Sequence, residues 1–478
     1  MTPDPRGPGR FHYAGIGGSG MSALAQFQAM GGGTVSGSDR GFDQRQRPEA
    51  RGQLERLGIS LFPQDGTGVR APGTAALVVS TAVEEQVPDV VAARELGLPI
   101  LHRSEMLAHF VAALRTIAVS GTSGKSTVVA MIFEILRGAG RDPSVITGGD
   151  LELLRDEGLW GNAWRGASDL LVVEADESDG SLVRYEPAVG VVLNLQKDHK
   201  PEDQVFAMFE TFVDRTRETL VLGADENLAA LGERARARGL SCAVFGAGDV
   251  IGDAIELGAD ESTFEVGGAR FRLPLPGRHN VENALAAIAA CRTVGVPIEA
   301  MVAPVAAFRG VGRRFQTIGT VGGVEVVDDF AHNPAKLEAA LRTAQRRVRG
   351  RAPGGTDGRV LAVYQPHGYA PTRFLRVDFV ETFARVLGPS DRVLWLEVFY
   401  AGGTTQRDFS SADIISEIAA RGVGPRAEFA PTRDALTQRL ATEARPGDLV
   451  LIMGARDPSL TDLARSVVAA LASRTPVR

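Results

Sequence analysis

The sequence predicts a three-domain α/β protein, and three observations support this prediction. The chain has 478 residues, which at roughly 100–200 residues per domain is more than one core accommodates. Short apolar runs, each ending in glycine or polar residues and followed by a helical pattern, recur along the whole chain. Its 44% hydrophobic and 23% charged residues are typical of a packed, water-soluble protein and exclude collagen-like, disordered and disulfide-scaffold classes.

Net charge and composition limit the binding partners and the cellular location that we expect for this protein. The formal net charge of -6 provides no overall attraction for nucleic acid or anionic lipid, so a polyanion must bind at local sites. The sequence contains no apolar run of about 18 residues and its N-terminus lacks the apolar stretch of a signal peptide. We therefore expect a cytoplasmic protein without membrane insertion. Cys242 and Cys291 lack metal-ligand spacing and are interpreted as buried apolar residues in a reducing compartment.

The first domain is predicted to span residues 1–113 as a small doubly wound unit. Its strands are expected within 11–16, 34–39 and 76–83. The boundary near residue 113 follows from a helical pattern at 104–114 and a new strand at 116–120.

The second domain is predicted to span 114–306 and the third 307–478. In the second, a helix at 127–140 follows a glycine-rich turn, alternation around 249–273 indicates antiparallel strands, and strand-containing runs lie at 169–179, 189–195 and 219–227. In the third, residues 352–358 form a flexible loop, and strand-containing runs lie at 324–332, 359–367, 392–400 and 448–457.

The glycine-rich turn GIGGSG, Gly15 to Gly20, follows a strand and opens a helix. Asp39 ends the next strand, where a ribose-binding acid lies in dinucleotide-binding proteins. A glycine-rich backbone lets N–H groups approach an anion at a helix N-terminus. Any diphosphate satisfies this requirement. NAD is therefore not implied, and a tight turn without ligand is the structural alternative.

A second glycine-rich turn, GTSGKST, places Lys125 and Ser126 where a phosphate-binding loop uses Lys for the β/γ-phosphates and Ser for Mg²⁺. A full Walker A motif would have glycine at position 119, where this chain has Val119, so the turn has a shorter form. The alternative is a helix cap with an exposed lysine. We interpret the turn as an ATP site.

Acidic residues follow the next long apolar run, at the end of a predicted strand where magnesium ligands are commonly placed. They are Glu174, Asp176, Glu177 and Asp179. A solvated acidic loop is the alternative, but four carboxylates at the edge of a buried strand repel one another unless a cation is near. One strand later come Asn194, Asp198 and His199, again at a predicted strand end. A lone histidine is usually structural, but His199 shares a sheet edge with the phosphate loop and the acids, so we expect a metal or substrate role for it.

Polar residues also gather at a predicted helix start and in the third domain. His279, Asn280 and Asn283 could converge on one ligand, although Asn280 could equally be an ordinary helix N-cap. In the third domain the candidates by residue type are Arg313, Arg314, Asp328, Asp329 and His332. By themselves these five indicate only surface charge.

The order of these motifs resembles the Mur ligases, the ATP-dependent amide-bond ligases of peptidoglycan precursor synthesis. Nine motifs carry the resemblance between about residues 11 and 457: GIGGSGMS with SGSD, GTSGKST, EADESDGS, NLQKDH, PGRHNVENALAA, FRGVGRRF, VDDFAHNP, YQPH and MGARD. The resemblance implies an N-terminal Rossmann-like UDP-binding domain, a central P-loop ATPase domain and a C-terminal Rossmann-like domain. Within the family the chain is most similar to the branch that adds L-alanine to UDP-N-acetylmuramate.

The resemblance also implies roles for individual residues. Lys125, Glu174 and His199 would be catalytic, and Ser126, Glu174 and His199 would bind two Mg²⁺ ions. ATP would be bound by Gly121, Thr122, Ser123, Gly124, Lys125, Ser126, Thr127, His279, Asn280, Asn283, Arg314, Asp329 and His332. The UDP-sugar would be bound by Gly15, Gly17, Gly18, Ser19, Gly20, Met21, Ser38, Asp39, Ser80, Glu177 and Ser178.

Several positions depart from the alanine-adding branch. Ser123 and Asn333 stand where that branch usually has histidine, Gly368 where it has arginine, and KPEDQ follows His199 in place of an apolar and Tyr-rich stretch. Losing an arginine removes a bidentate partner for carboxylate or phosphate.

Three hypotheses follow, in this order. The first is the alanine-adding ligase, joining an amino acid to UDP-N-acetylmuramate through an acyl phosphate. The second is a ligase with the same chemistry and another substrate, such as a muropeptide-recycling enzyme that adds a tripeptide or a paralogue for another carboxylate; Leu195 after Asn194 favours it. The third is a non-ligating nucleotide-binding protein or an NAD-dependent oxidoreductase, which the intact Lys125 argues against.

Overall fold

Four β-sheets organise the part of the chain that the structure describes. The structure is a computed structural model, and it describes residues 7, 9–178, 180–198, 200–350, 358–400, 406–455, 457 and 459–474. Three of the sheets are mainly parallel and flanked by helices, and the fourth is a small antiparallel sheet. The predicted α/β class is confirmed.

The first sheet has the strand order β3-β2-β1-β4-β5 and is parallel throughout. Its strands are β1 Arg10–Ala14, β2 Val35–Ser38, β3 Ser60–Phe62, β4 Thr74–Val79 and β5 Ile100–His102. Its helices are α1 Ser19–Met30, α2 Arg40–Asp43, α3 Pro48–Arg56, α4 Thr67–Arg70, α5 Pro88–Glu95 and α6 Arg103–Ala113. Because β1 lies between β2 and β4, the loop after β1 opens at a topological switch point, where α/β sheets bind ligands.

The second sheet has the order β12-β11-β10-β6-β9-β7-β8, with only the β7–β8 pair antiparallel. Its strands are β6 Arg115–Ser120, β7 Ser144–Ile146, β8 Ala163–Trp164, β9 Leu170–Glu174, β10 Val189–Val192, β11 Thr219–Gly223 and β12 Ser241–Phe245. The antiparallel strands expected around 249–273 are β13 Asp253–Leu257, β14 Ser262–Val266 and β15 Ala269–Leu273.

The helices of this part are α7 Lys125–Gly138, α8 Glu152–Asp156, α9 Glu202–Arg215, α10 Ala229–Ala237, α11 Arg278–Thr293 and α12 Ile298–Ala306. Short 3₁₀ turns lie at Ser181–Arg184 and Glu226–Leu228. Helix α7 is buried from Ser126 to Leu136 because it lies against the sheet on one side and against α11 on another. Apolar burial of this kind is the main force that holds the phosphate loop's helix in place.

The third sheet has the order β16-β17-β21-β18-β19-β20, with the β16–β17 hairpin antiparallel and the rest parallel. Its strands are β16 Gln316–Val321, β17 Val324–Asp329, β18 Val360–Tyr364, β19 Arg392–Trp395, β20 Ala427–Phe429 and β21 Leu449–Met453. Its helices are α13 Pro334–Gly350, α14 Tyr369–Phe374, α15 Arg376–Val386, α16 Ser411–Ile418, α17 Arg433–Glu443 and α18 Leu460–Arg474, with short turns at Ala419–Val423 and Gly424–Arg426.

Four sequence-based expectations need comment. Strand β4 ends at Val79, so the predicted run 76–83 continues into a turn. Asn280 is not an N-cap, because α11 begins at Arg278 and Gly277 occupies the cap position. Cys291 is buried as expected, whereas Cys242 is only partly buried. The predicted loop 352–358 lies outside the described residues except for its last position, and the boundaries at 113 and 306 stay predictions.

Candidate active site

The loop between β6 and α7 has the geometry of a phosphate-binding loop. Gly124, the N-cap of α7, has a φ of +87°, and a Cβ at this position would lie 2.4 Å from Oδ1 of Asn283. Glycine is therefore required both by the left-handed backbone and by the close approach of α11. Lys125 Nζ donates to the Gly121 carbonyl at 2.8 Å and to Glu177 Oε2 at 2.6 Å.

Charges around Lys125 keep its ammonium protonated. Burial disfavours the charge, but the carboxylates of Glu177, Asp176 and Glu174 outweigh burial and raise the pKa of Lys125 above its ordinary value. The side chain is only 12% exposed. A buried, permanently charged ammonium at the start of a helix is suited to a phosphate group.

Asn194, just after β10, braces the phosphate loop. Its Oδ1 accepts from Thr122 Oγ1 and from the Ser123 N–H, both at 2.9 Å, and its Nδ2 donates to the Ser123 carbonyl at 3.1 Å. Gln196 continues the brace, because its N–H donates to Thr122 Oγ1 at 3.0 Å and its Oε1 accepts from Ser123 Oγ at 3.2 Å. Asn194 therefore has a structural role, because its amide holds the phosphate loop in shape.

Glu174, the last residue of β9, faces the start of α7. Its Oε2 accepts from Ser126 Oγ at 2.9 Å, Thr147 Oγ1 at 3.0 Å and the Gly148 N–H at 3.1 Å. Since β6 and β9 are parallel neighbours, their ends bring Ser126 and Glu174 together, as expected from the sequence. His199 lies outside the described residues, and the described part of the chain holds no cluster of three or more potential metal-ligating side chains.

A cavity of about 410 Å³ opens beside the phosphate loop, between the second sheet and the third. His279, Asn280 and Asn283 from α11 all line it, as the sequence predicts. Burial and the nearby charge of Arg346 lower the pKa of His279 to about 4, so this imidazole is neutral at physiological pH. Asn280 is tied internally, because its Nδ2 donates to the Pro276 carbonyl at 2.8 Å.

The third part of the chain closes this cavity with Arg314 and Asp329. Arg314 lies over the Phe330 ring at 4.8 Å, and its Nη2 is 3.5 Å from Ser126 Oγ on the phosphate loop. Burial raises the pKa of Asp329 to about 6, although Arg314 and two backbone N–H groups oppose the shift. The reading of Arg314 and Asp329 as surface charge is therefore wrong.

His332 is also buried, at 8% exposure, and so is Asp328, at 0%. Asp328 pairs with Arg313, whose Nη2 donates to the Gly454 carbonyl at 2.7 Å. These contacts tie the loop after β21 to the start of the third sheet. Surface charge is the wrong description for His332, Asp328 and Arg313 as well.

The glycine-rich loop after β1 is shaped by Asp39. This carboxylate accepts from the Gly17 N–H at 2.9 Å and from the Gly41 N–H at 2.8 Å, and it caps α2. Ser38 is fully buried and its hydroxyl donates to buried Asp89, so the side chain is used within the fold. The turn that begins at Ser80 lies at the same sheet edge, since a Cβ at Gly15 would be 3.7 Å from Val83.

The other residues predicted to bind the UDP-sugar lie at the mouth of this loop or on the acidic loop. Met21 is buried in α1, Glu177 holds Lys125, and Ser178 donates its N–H and hydroxyl to Asp176 at 3.1 and 3.0 Å. Gly18 precedes α1, whose first residues are Ser19 and Gly20. Thr127 lines the 410 Å³ cavity from the first turn of the phosphate loop's helix.

Two arginines and an asparagine that sequence reasoning missed join the glycine loop to the phosphate site. A Cβ at Gly20 would lie 2.5 Å from Arg103 Nη1. Burial raises the pKa of Asp176, but Lys125, two hydrogen bonds from Ser178 and, to a smaller extent, Arg103 lower it to about 2. Arg47 donates to the Gly17 carbonyl at 2.8 Å and lies over the Trp160 ring. Asn162 donates to the Ser19 carbonyl at 2.9 Å. In the sequence, the signal that could have indicated Arg103 is its position directly after the end of a strand.

Comparison with known proteins matches this geometry to one family. Residues 10–115 match the "Mur ligase family, catalytic domain", residues 119–291 the "Mur ligase middle domain" and residues 313–456 the "Mur ligase, glutamate ligase domain". The chain is 36% identical to UDP-N-acetylmuramate:L-alanine ligase of Thermosynechococcus vestitus, over 96% of this chain and 95% of that one. The chain belongs to the Mur ligase family. It is therefore an ATP-dependent, ADP-forming amide-bond ligase.

Solved structures show the same Mur ligase fold. UDP-N-acetylmuramate-alanine ligase of Thermotoga maritima superposes with a TM-score of 0.75 at 24% identity, covering 98% of this chain and all of that one. A murein peptide ligase of Psychrobacter arcticus gives a TM-score of 0.69 at 22% identity, with the same coverage. Among the described residues, no helix is both long and apolar enough to cross a membrane.

Proposed function

We propose that this Mur ligase joins L-alanine to the lactyl carboxylate of UDP-N-acetylmuramate in peptidoglycan precursor synthesis. The observation that carries the proposal is the set of Lys125, Ser126 and Glu174 at one sheet edge, closed over by Arg314. The relatives at 34–38% identity named for this reaction support it. ATP and UDP-sugars are made in the cytoplasm, where we place the reaction.

The phosphates of ATP would lie on the Gly121–Thr127 loop, with adenosine in the 410 Å³ cavity between α11 and α13. The Ser126 hydroxyl and the Glu174 carboxylate fit Mg²⁺, which takes oxygen ligands and completes its shell with phosphate oxygens and water. Among the described residues, the hydrogen bonds to Glu174 all reach Oε2, which leaves Oε1 for a cation. Bound Mg²⁺ would offset negative charge on the phosphates, with His199 proposed as a ligand of a second ion.

The chemistry proceeds in two steps. A carboxylate oxygen of UDP-N-acetylmuramate attacks the γ-phosphorus, and the bond to the leaving oxygen breaks as ADP departs. The amine of alanine then attacks the acyl phosphate carbonyl and inorganic phosphate leaves. Lys125 and Arg314 stabilise the negative charge on the transferred group, and positioning by the loop provides most of the remaining rate enhancement.

The UDP diphosphate would lie beside the loop after β1, at the start of α1, because the first N–H groups of a helix attract an anion. Arg103, near Gly20 and Asp176, would then lie between the diphosphate and the phosphoryl-transfer site. This arrangement would let one substrate span the first and second sheets, as the reaction requires.

A second candidate is a ligase that adds a peptide such as L-Ala-D-Glu-diaminopimelate. The observation that favours it is Gly368, whose φ of +71° at the start of α14 disfavours the arginine of the alanine-adding branch. Asn333 likewise has its own structural use, because its Oδ1 accepts from the Lys336 N–H at 2.9 Å and caps α13. These changes alter the amine side of the site and leave the ATP side intact.

The deciding experiment measures phosphate release by the purified protein with Mg-ATP and UDP-N-acetylmuramate, with L-alanine, other amino acids or the tripeptide, and the product mass. Release that depends on L-alanine supports the first proposal, and release that depends only on the tripeptide supports the second. Lys125→Ala is expected to abolish release with either amine because the charged phosphate partner is lost. An unchanged rate in that variant would refute the ATP site.

A further inference from the structure

Lys336 reaches from the third part of the chain into the phosphate site. It lies in the first turn of α13, and its side chain is only 17% exposed. Its Nζ donates to Asp198 Oδ2 at 2.8 Å, and Asp198 itself follows β10 in the second sheet. The pair is therefore a buried contact between two parts of the chain that carry different sheets.

His332 lies beside Lys336 and can accept one of the hydrogen bonds that its ammonium donates. His332 Nδ1 lies 2.8 Å from the Phe330 carbonyl oxygen, which can only accept, so Nδ1 carries a proton. In the neutral ring Nε2 is then an acceptor, and it also lies 3.8 Å from Asp198 Oδ1. Nε2 lies 3.4 Å from Lys336 Nζ. An ammonium has three N–H donors, and Asp198 and His332 engage two of them. Among the described residues no other side chain is hydrogen-bonded to Lys336 Nζ, so its third donor can reach a ligand.

Other cations are grouped with Lys336. Burial lowers the pKa of Lys336, the Asp198 carboxylate opposes this, and the positive charges of Lys125 and Arg314 lower the pKa further. Lys336 also lines the 410 Å³ cavity together with Arg314. Arg314 and Lys336 are therefore two cations on the wall of one cavity, and a group with several negative charges bound there would interact favourably with both.

We propose that Lys336 is a further catalytic residue, which binds the phosphoryl group as it passes from ATP to the carboxylate substrate. This inference rests on the proposed function and deepens it by assigning a third cation to the transferred group. Asp198 is the positioning residue that holds the ammonium in place. Because the two residues come from different parts of the chain, the contact requires the arrangement of the second and third sheets seen here.

The ammonium keeps its proton throughout the transfer. The new bond forms between the substrate carboxylate oxygen and phosphorus, the bond from phosphorus to the β–γ bridging oxygen breaks, and its electron pair leaves with ADP. Lys336 contributes charge and one hydrogen bond to an oxygen of the transferred group.

Nucleotide binding to variants of the full chain tests this role. Lys336→Met is expected to weaken binding of a non-hydrolysable ATP analogue with a β–γ imido bridge about 10- to 100-fold, while ADP binding changes less than about twofold. Lys197→Met is the matched control, because Lys197 Nζ also pairs across the two parts, with Asp378 at 2.7 Å, but on the exposed surface. It should leave both affinities unchanged. Lys336→Arg should recover part of the analogue's affinity.

Each other outcome overturns the assignment in a distinguishable way. Equally weakened binding of ADP and of the analogue would show that Lys336 only connects two parts of the chain. Unchanged analogue binding by Lys336→Met, or by Lys336→Gln if the Met variant does not fold, would exclude contact with the γ-phosphoryl group. Failure of the unmodified protein to bind either nucleotide would overturn the proposed function, and this role with it.

Discussion

Replacing Asn194 with alanine removes the brace of the phosphate loop and leaves the loop's own residues, Gly121 to Thr127, unchanged. Three hydrogen bonds to Thr122 and Ser123 are lost, each contributing about 0.5–1.5 kcal/mol net. Water recovers part of this, because the site is only partly buried. If the loop's ATP-binding conformation is destabilised by about 2 kcal/mol, ATP affinity drops roughly 30-fold, since 1.4 kcal/mol corresponds to a tenfold change in affinity.

Calorimetric titration with ATP and magnesium measures the affinity, and thermal unfolding checks that the variant folds. Asn227→Ala is the matched control, because Asn227 Nδ2 donates one hydrogen bond to the Leu195 carbonyl, at 3.1 Å, in the same segment but outside the loop. The control should bind ATP like the unmodified protein. A folded Asn194→Ala protein with unchanged ATP affinity would refute the brace.

Two further substitutions test the loop and a buried acid. Gly124→Ala should lower ATP affinity at least about tenfold in a titration, because its φ is +87° and its Cβ would contact Asn283 at 2.4 Å; unchanged affinity would contradict this. Burial raises the pKa of Glu134 from 4.5 to about 8, so the folded protein holds a proton that the unfolded chain has lost. Stability should therefore fall between pH 5 and pH 8, and Glu134→Gln should flatten the fall in melting temperature. An equal fall in both proteins would count against it.

Local sequence patterns were sufficient to predict the class of fold and the phosphate loop. The strand-turn-helix rhythm predicted the three mainly parallel sheets, and the short distance between glycines and Lys125 predicted the phosphate loop. The acid that faces Ser126 could be predicted because parallel strands deliver their ends to one edge, which is where Glu174 lies. The binding roles of these residues stay predictions.

Sequence position did not indicate residues whose role comes from a distant partner. Arg103 and Lys336 are single charged residues whose neighbours in space, Gly20 and Asp198, are far away in the chain, so their roles follow only from the tertiary structure. Asn194 comes just after a strand beside an active-site segment, and this position did not indicate its hydrogen-bond partners. The structure shows that its amide is used by the loop itself.

By itself, the sequence determined the α/β class, the order of the motifs and membership of the Mur ligase family, because these depend on short spacings and on periodicity along the chain. Only the tertiary structure decided which charges are buried. Asp328 and His332 could be surface residues in the sequence, but in the structure they are only 0% and 8% exposed, and a buried polar group needs a partner. Burial is a property of the whole fold, so no local pattern reports it.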